Sequence, residues 1–258
     1  MKQKKASIFL KKLPKLLNKF YISRLQSSIK IKSKSKKIYN PVTSLDRAFE
    51  KFIRTKINKS FPNDGVTGEE FKNKISNNNF CWSIDPIDGT KAFVYGIPTW
   101  SNLVGLSNYN ESIIGLANFP ELKRFYLSID NNSYIYDNFK KKKIKTLNNT
   151  NLDKIKIISN FHGLLNYKKN KLQKRFANSI IFHSFDALSY CLLAEGKLDA
   201  VIETNLKSYD IIPLIPIIKN AGGCISDWDN NNAEKGGNIL ATSNKKLHDK
   251  IIRLLKNL

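Results

Sequence analysis

The apolar positions change rhythm along the chain, and each rhythm names an element. Leu10, Leu13, Leu17 and Phe20 recur at helical spacing with lysines between them, so residues 7–27 read as a basic amphipathic helix weakened or kinked at Pro14. Such a helix packs on its own domain or lies on a membrane surface; packing is expected, because nothing else in the chain suggests a membrane. The lysine-rich stretch Ile29 to Asn40 reads as a strand and loop, and Leu45, Phe49, Phe52, Ile53 and Ile57 form a helical stripe over residues 43–59. Alternation then takes over at 80–84, 101–106, 112–119, 124–128 and 134–136, a run of strands without helices that predicts a mainly antiparallel sheet. Beyond residue 150, strands at 155–159, 180–182, 200–203, 224–228 and 239–242 alternate with helices at 186–195, from Asp210 to Gly222-Gly223, and at 247–258. Two halves result, 1–140 with helices and an antiparallel sheet and 141–258 as an α/β lobe, expected to act as one compact catalytic unit.

Composition narrows the class. With 258 residues and 41% hydrophobic content the chain can bury a real core, and no apolar run is long enough to span a bilayer. Ile8-Phe9-Leu10 is too short for a signal-peptide core, and Cys81, Cys191 and Cys224 lack any CxxC pairing. Both features point to a reducing cytoplasm. A net charge of +23 raises nucleic-acid binding, since thirteen positive charges precede the first acid, Asp46, and Lys140 to Lys143 form a second cluster. The chain is equally rich in Asn and Ile, the signature of A+T-biased coding, and carries no RNA-binding or zinc-finger motif, so no specific nucleic-acid partner is expected.

The chemistry concentrates in Trp82-Ser83-Ile84-Asp85-Pro86-Ile87-Asp88-Gly89-Thr90. Pro86 should end the strand, Gly89 allows a tight turn, and Thr90-Lys91-Ala92-Phe93 opens a helix. Two carboxylates at a strand end beside free N–H groups suit hard cations and phosphate, although Asp-Pro and Asp-Gly also mark ordinary turns. Gly68-Glu69-Glu70 lies upstream, Tyr209-Asp210 opens the segment ending at Ala221-Gly222-Gly223, and Pro41-Val42-Thr43-Ser44-Leu45-Asp46 forms a fourth block. In order and spacing these blocks resemble the inositol monophosphatase family from about Pro41 to the C-terminus. The stretch from Gly89 to Trp100, with its Pro98-Thr99-Trp100, and Lys207-Ser208-Tyr209-Asp210 are similar to the histidinol-phosphatase branch.

The resemblance implies a layered α-β-α-β-α sandwich with the site between two sheets, a small phosphorylated substrate, and a homodimer. It implies two or three Mg²⁺ ions held by Glu69, Asp85, the Ile87 carbonyl, Asp88 and Asp210, with Asp85 bridging. Glu69 and Thr90 would activate water, with Asp46 pairing to Thr90. Gly89 and Thr90 would hold phosphate, and Glu203 and Asp186 would meet the substrate. As a surface acid at a strand end, Glu203 would have no such role. L-histidinol phosphate is the expected substrate, with inositol-1-phosphate or a related sugar or nucleotide monophosphate as the alternative. A basic RNA-binding protein on a phosphatase-like fold is the reading from another class. His162, His183 and His248 share no ligand spacing, and Ser184 lies in no GxSxG motif. Two departures from the family pattern stand out: Ser184-Phe185 replaces a small glycine-containing pair, and Pro216 should distort the helix after Asp210.

Overall fold

The computed structural model describes residues 2–24, 31–33, 41–138, 140–161 and 163–258. Most of the lysine-rich stretch Ile29 to Asn40 therefore lies outside the described residues, as does His162. Helix α1 (Lys2–Arg24) opens the chain, β1 (Ile31–Ser33) pairs antiparallel with β2 (Pro41–Thr43), and α2 (Ser44–Ser60) follows. Thr43 caps α2 in a capping box: its hydroxyl accepts from the Asp46 N–H, and the Asp46 carboxylate accepts from the Thr43 N–H at 2.7 Å.

Seven strands and one short helix build the first sheet region. These are β3 (Gly65–Gly68), β4 (Phe80–Asp88), α3 (Thr90–Tyr95), β5 (Ser101–Asn108), β6 (Glu111–Phe119), β7 (Arg124–Ile129), β8 (Asn132–Asp137) and β9 (Lys140–Lys143). The sheet runs in sequence order and is antiparallel except where β3 joins β4. The second region comprises β10 (Lys156–Asn160), α4 (Asn166–Arg175), β11 (Ile180–His183), α5 (Ala187–Ala194), β12 (Ala200–Leu206), α6 (Ser208–Ile211), α7 (Leu214–Lys219), β13 (Cys224–Asp227), a 3-10 turn at Ala233–Lys235, β14 (Gly237–Thr242) and α8 (Lys245–Lys256). Its sheet has the order β11-β10-β12-β14-β13, parallel among the first three strands and antiparallel for the rest.

Strand alternation sorts the side chains into three apolar layers. Val104 and Leu116 face α1 and α2, meeting Leu13, Leu17, Phe49 and Ile53. Their neighbours Leu103 and Ala117 face the other way, onto Leu188 of α5 and Leu214 and Ile218 of α7. Val201 closes that middle layer from the second sheet, whereas Ile202 and Leu240 face Leu172 of α4 and Ile251 of α8. The order is α-β-α-β-α, the sandwich expected. Helix α1 packs on the sheet through Leu10, Leu13, Pro14 and Leu17 and runs through Pro14 without interruption.

Several local expectations change. Strand β4 does not stop at Pro86: it reaches Asp88 with a bulge between Asp85 and Asp88, and the Asn102 amide takes the Pro86 carbonyl at 2.6 Å. The single helix expected after Asp210 is two, α6 and α7, separated at Ile212 and Pro213. Pro216 has no N–H for the Ile212 carbonyl, and Ser112 Oγ donates to it instead at 2.6 Å. The corner is pressed flat on β5 and β6, because a Cβ on Gly115 would fall 1.7 Å from the Pro213 carbonyl oxygen.

Candidate active site

The β4 bulge delivers Asp85 and Asp88, the cap of α2 delivers Asp46, and α6 delivers Asp210. Asp85 sits at the β4 bulge, 3% exposed, its Oδ1 accepting from the Ile87 N–H at 3.1 Å. Asp88 follows on the same strand, and its Oδ2 accepts from the Ala187 N–H at 2.8 Å, the first amide of α5. That bond ties the two sheet regions together at the site. Gly89 has φ +77°, and a Cβ there would lie 2.7 Å from Asp186 Oδ2, so glycine is required and Asp186 stands directly against the turn. Asp210 Oδ2 accepts from the Lys207 N–H at 2.8 Å, which aims α6 at the β4 end. Tyr209 beside it has its hydroxyl pushed above its ordinary range by burial and by Glu69 and Asp210.

Burial and mutual repulsion raise these carboxyls together. Asp85 and Asp88 are pushed well up, first by desolvation, then Asp85 by Glu69 and Asp88 by Asp186. Desolvation lifts Asp210 to about 6, and Asp46 likewise to about 6 against its bonds to Thr43. Asp186 is raised by burial and opposed by Lys91. Glu203, 2% exposed, is lifted to about 7 by burial despite Ser184 and Tyr190 at its carboxylate.

Asp85 feels the charges of Glu69, Asp88, Asp210 and Asp46, and a further group of acids gathers around Glu69. Carboxylate oxygens of Asp46, Glu69 and Glu70 all lie within 4.8 Å of one another, a set that includes Asp46 and Glu70 beside Glu69. Asp46 and Thr90 bond to other partners: the Thr90 hydroxyl donates to the Ile87 carbonyl at 3.0 Å, and the Asp46 Oδ2 accepts from the Thr43 hydroxyl at 2.5 Å. Asp46 Oδ1 is buried without a partner. Among the described residues, none of Asp85, Asp88 and Asp210 is paired with a lysine or arginine. Buried carboxylates in this state call for cations, and an all-oxygen donor set suits a hard divalent ion.

Supporting residues escaped the sequence reading. Glu50, fully buried on α2, accepts from the Glu70 N–H at 2.6 Å and from Arg54 Nε at 2.7 Å, while Arg54 donates to the Phe71 carbonyl. A Cβ on Gly68 would strike Glu50, so this acid moulds the Gly68-Glu69-Glu70 turn. One sequence signal was present: an acid beside the apolar stripe of α2 with an arginine four residues on. Asn118 Nδ2 donates to both Asn18 Oδ1 and Asn102 Oδ1 at 3.0 Å, extending the Asn102–Pro86 bond back to α1. His248, buried and bonded to Ser226 and Thr242, is lowered to about 4 by desolvation and is a packing histidine. The three cysteines are free, and no helix of the described residues is long and apolar enough to cross a membrane.

A cation-demanding cluster of acids at the bulged end of a strand, closed by a glycine turn, has the donor chemistry of a metal-dependent hydrolase. The comparisons with known proteins agree. The model of the inositol monophosphatase family matches residues 9–258, so the match begins well before Pro41 and includes most of α1. The chain is 31% identical over 222 residues to the histidinol-phosphatase of Mycobacterium tuberculosis, covering 83% of this chain and 84% of that protein. It is 29% identical to a fructose-1,6-bisphosphatase/inositol-1-monophosphatase of Aquifex aeolicus, covering 83% and 81%. An inositol monophosphatase from Zymomonas mobilis superposes with a TM-score of 0.81 over 99% of both chains at 22% identity, a likeness of fold. This chain belongs to the inositol monophosphatase family, whose members are metal-dependent enzymes that hydrolyse phosphomonoesters.

Proposed function

We propose that the chain is a Mg²⁺-dependent phosphatase of L-histidinol phosphate. The observation that carries the substrate choice is Glu203, a buried carboxylate beside Asp186 and Asp210 and so a ready counter-charge for the amine of an amino-alcohol ester. Similarity to the M. tuberculosis histidinol-phosphatase and the Lys207-Ser208-Tyr209-Asp210 block support the same choice.

Glu69, Asp85, the Ile87 carbonyl, Asp88 and Asp210 would hold two or three Mg²⁺ ions, whose chemistry when bound is to neutralise the phosphate and acidify water. Around them the chain's own groups have distinct tasks. Gly89 and Thr90 present N–H groups to the phosphate oxygens. Glu69 and the Thr90 hydroxyl would orient the attacking water, with Glu69 taking its proton, while the Thr90 hydroxyl, turned from the Ile87 carbonyl, would donate its single hydrogen to the unpartnered Asp46 Oδ1 and accept from the water. Asp186 and Glu203 take the alcohol portion.

Both halves, 1–140 and 141–258, form one catalytic unit in this reading: Asp46, Glu69, Asp85 and Asp88 come from the first, Asp186, Glu203 and Asp210 from the second. The free cysteines support a reducing, cytoplasmic setting, and the homodimer implied by the family resemblance remains part of the proposal. The test is phosphate release in Mg²⁺ from histidinol phosphate, inositol-1-phosphate, fructose-1,6-bisphosphate and 3′-phosphoadenosine 5′-phosphate. The expected result is the highest kcat/KM on histidinol phosphate. Preference for inositol-1-phosphate or the bisphosphate would move the chain to the activity named in the A. aeolicus relative.

A further inference from the structure

A cavity of about 530 Å³ is lined at one end by Gly89, Thr90 and Lys91 and at the other by Ser159, Asn160, His183, Phe185 and Asp186. A second cavity, about 630 Å³, shares Ser159, Asn160 and His183 with the first and continues along Phe161 and Phe182. The shared residues place the two cavities side by side, the second lying beyond the first as seen from the proposed phosphate site. The Phe182 and Phe185 rings stack where the cavities meet, with centroids 5.1 Å apart and planes 24° from parallel, although Phe182 is 56% exposed on an edge strand. Phe185 stands where the family resemblance leads one to expect a small, glycine-containing pair.

The two hydrocarbon rings give no hydrogen-bond partner to a polyol, whose hydroxyls all need partners, and among the described residues the first cavity holds one acid, Asp186. They suit a flat ring with delocalised electrons, which stacks on phenylalanine and keeps its polar edge free. The same cavity supplies partners for that edge in Ser159, Asn160 and His183.

Resting on the phosphatase reading above, we propose that Phe185, braced by Phe182, walls a subsite for a planar nitrogen heteroaromatic ring carried by the phosphate ester. Phosphate binds at the Gly89 turn, the ring lies along Phe185, and ring nitrogens meet Asn160 and His183. A ring worth keeping should change affinity more than chemistry, because it lies away from the ester.

The test compares histidinol phosphate with L-alaninol phosphate, which keeps the amine and ester and lacks the ring. Phe185→Leu should lower the kcat/KM ratio between the two by about tenfold, mostly through KM, while Phe185→Tyr should preserve the ratio. Thermal melts check folding, and Phe182→Ser, at the surface, should move the same ratio in the same direction if Phe185→Leu does not fold. If histidinol phosphate is not hydrolysed but 3′-phosphoadenosine 5′-phosphate is, and Phe185→Leu weakens it selectively, the histidinol assignment fails and the ring subsite stands. An unchanged ratio, turnover of ring-less esters alone, or a Phe182→Ser protein that changes only its oligomeric state would overturn the subsite.

Discussion

The two walls of the cleft are built differently. The wall carrying Asp85 and Asp88 is held by Asn102 on the Pro86 carbonyl, by the Ile87 N–H on Asp85, by Glu50 under the Gly68-Glu69-Glu70 turn, and by a bond from the Ala187 N–H of α5 across the cleft to Asp88. The facing wall, from β11 into α5, is an edge strand with an exposed phenylalanine and a strained Asp186 at φ 50°, ψ −136°. In the proposed reading the acids for cations and phosphate sit on hydrogen-bonded backbone, whereas the ring and alcohol meet the edge strand, the Asp186 turn and Glu203 on strand β12 of the same sheet. A family can thus keep one chemistry and change its substrates, as the differing names of the two relatives illustrate.

If that division holds, damage to the first wall should strike every substrate, and damage to the second should discriminate among them. Asp85→Asn should cut kcat on all esters by on the order of a thousandfold or more while far-UV circular dichroism stays unchanged; near wild-type turnover in Mg²⁺ would end the metal assignment. Glu203→Gln should cost histidinol phosphate about ten- to a hundredfold in kcat/KM, from a charge-assisted bond of about 1.5–3 kcal/mol. Inositol-1-phosphate should lose much less, and equal losses would make Glu203 a general support. Asn102→Leu removes the donor from the Pro86 carbonyl and should cost about 1–3 kcal/mol in urea unfolding, with similar fractional loss of kcat on each substrate.

A subtler effect concerns pH. Glu203 titrates near 7 when folded, above its unfolded value, so its contribution to metal-free stability is complete below the unfolded pKa and is lost as pH rises toward 7. Metal-free wild type should therefore lose stability relative to Glu203→Gln between about pH 4.5 and 7.5. A constant difference between their melting temperatures would contradict that assignment. Smallest of all, replacing Lys140 to Lys143 by serine, far from either wall, should barely alter turnover and should abolish any RNA retention at moderate salt.

Legibility followed the same physics. Strands β4 to β8 could be read because each buries one or both faces, and the motif acids could be read because their order resembles a known family. Strand β3 escaped: Gly65-Val66-Thr67-Gly68 is short, glycine-bounded and looks like a turn. So did β9, whose four lysines are all exposed and offer no apolar alternation, as suits an edge strand. Helix α4 buries only Leu172 and leaves no stripe. Asn102 and Glu50 act through hydrogen bonds to distant backbone, and no local pattern reveals a bond spanning sixteen or twenty positions.

The docking of α1 has one further consequence, an optical one. Phe9 of that helix meets the Trp82 ring edge-on at 5.5 Å, Lys2 bonds to the Asp64 that also holds the Trp82 indole N–H, and Tyr21 meets Trp100 at 5.0 Å. Trp100 in turn touches Phe93 of α3, one turn beyond Thr90. Of the three tryptophans in the chain, two therefore lie beneath the helix, and Trp228 lies in the outer layer of the second sheet. Lifting α1 would wet Trp82 and Trp100 and shift their emission to the red while Trp228 stayed as it was, so intrinsic fluorescence gauges the seating of that helix without any added label.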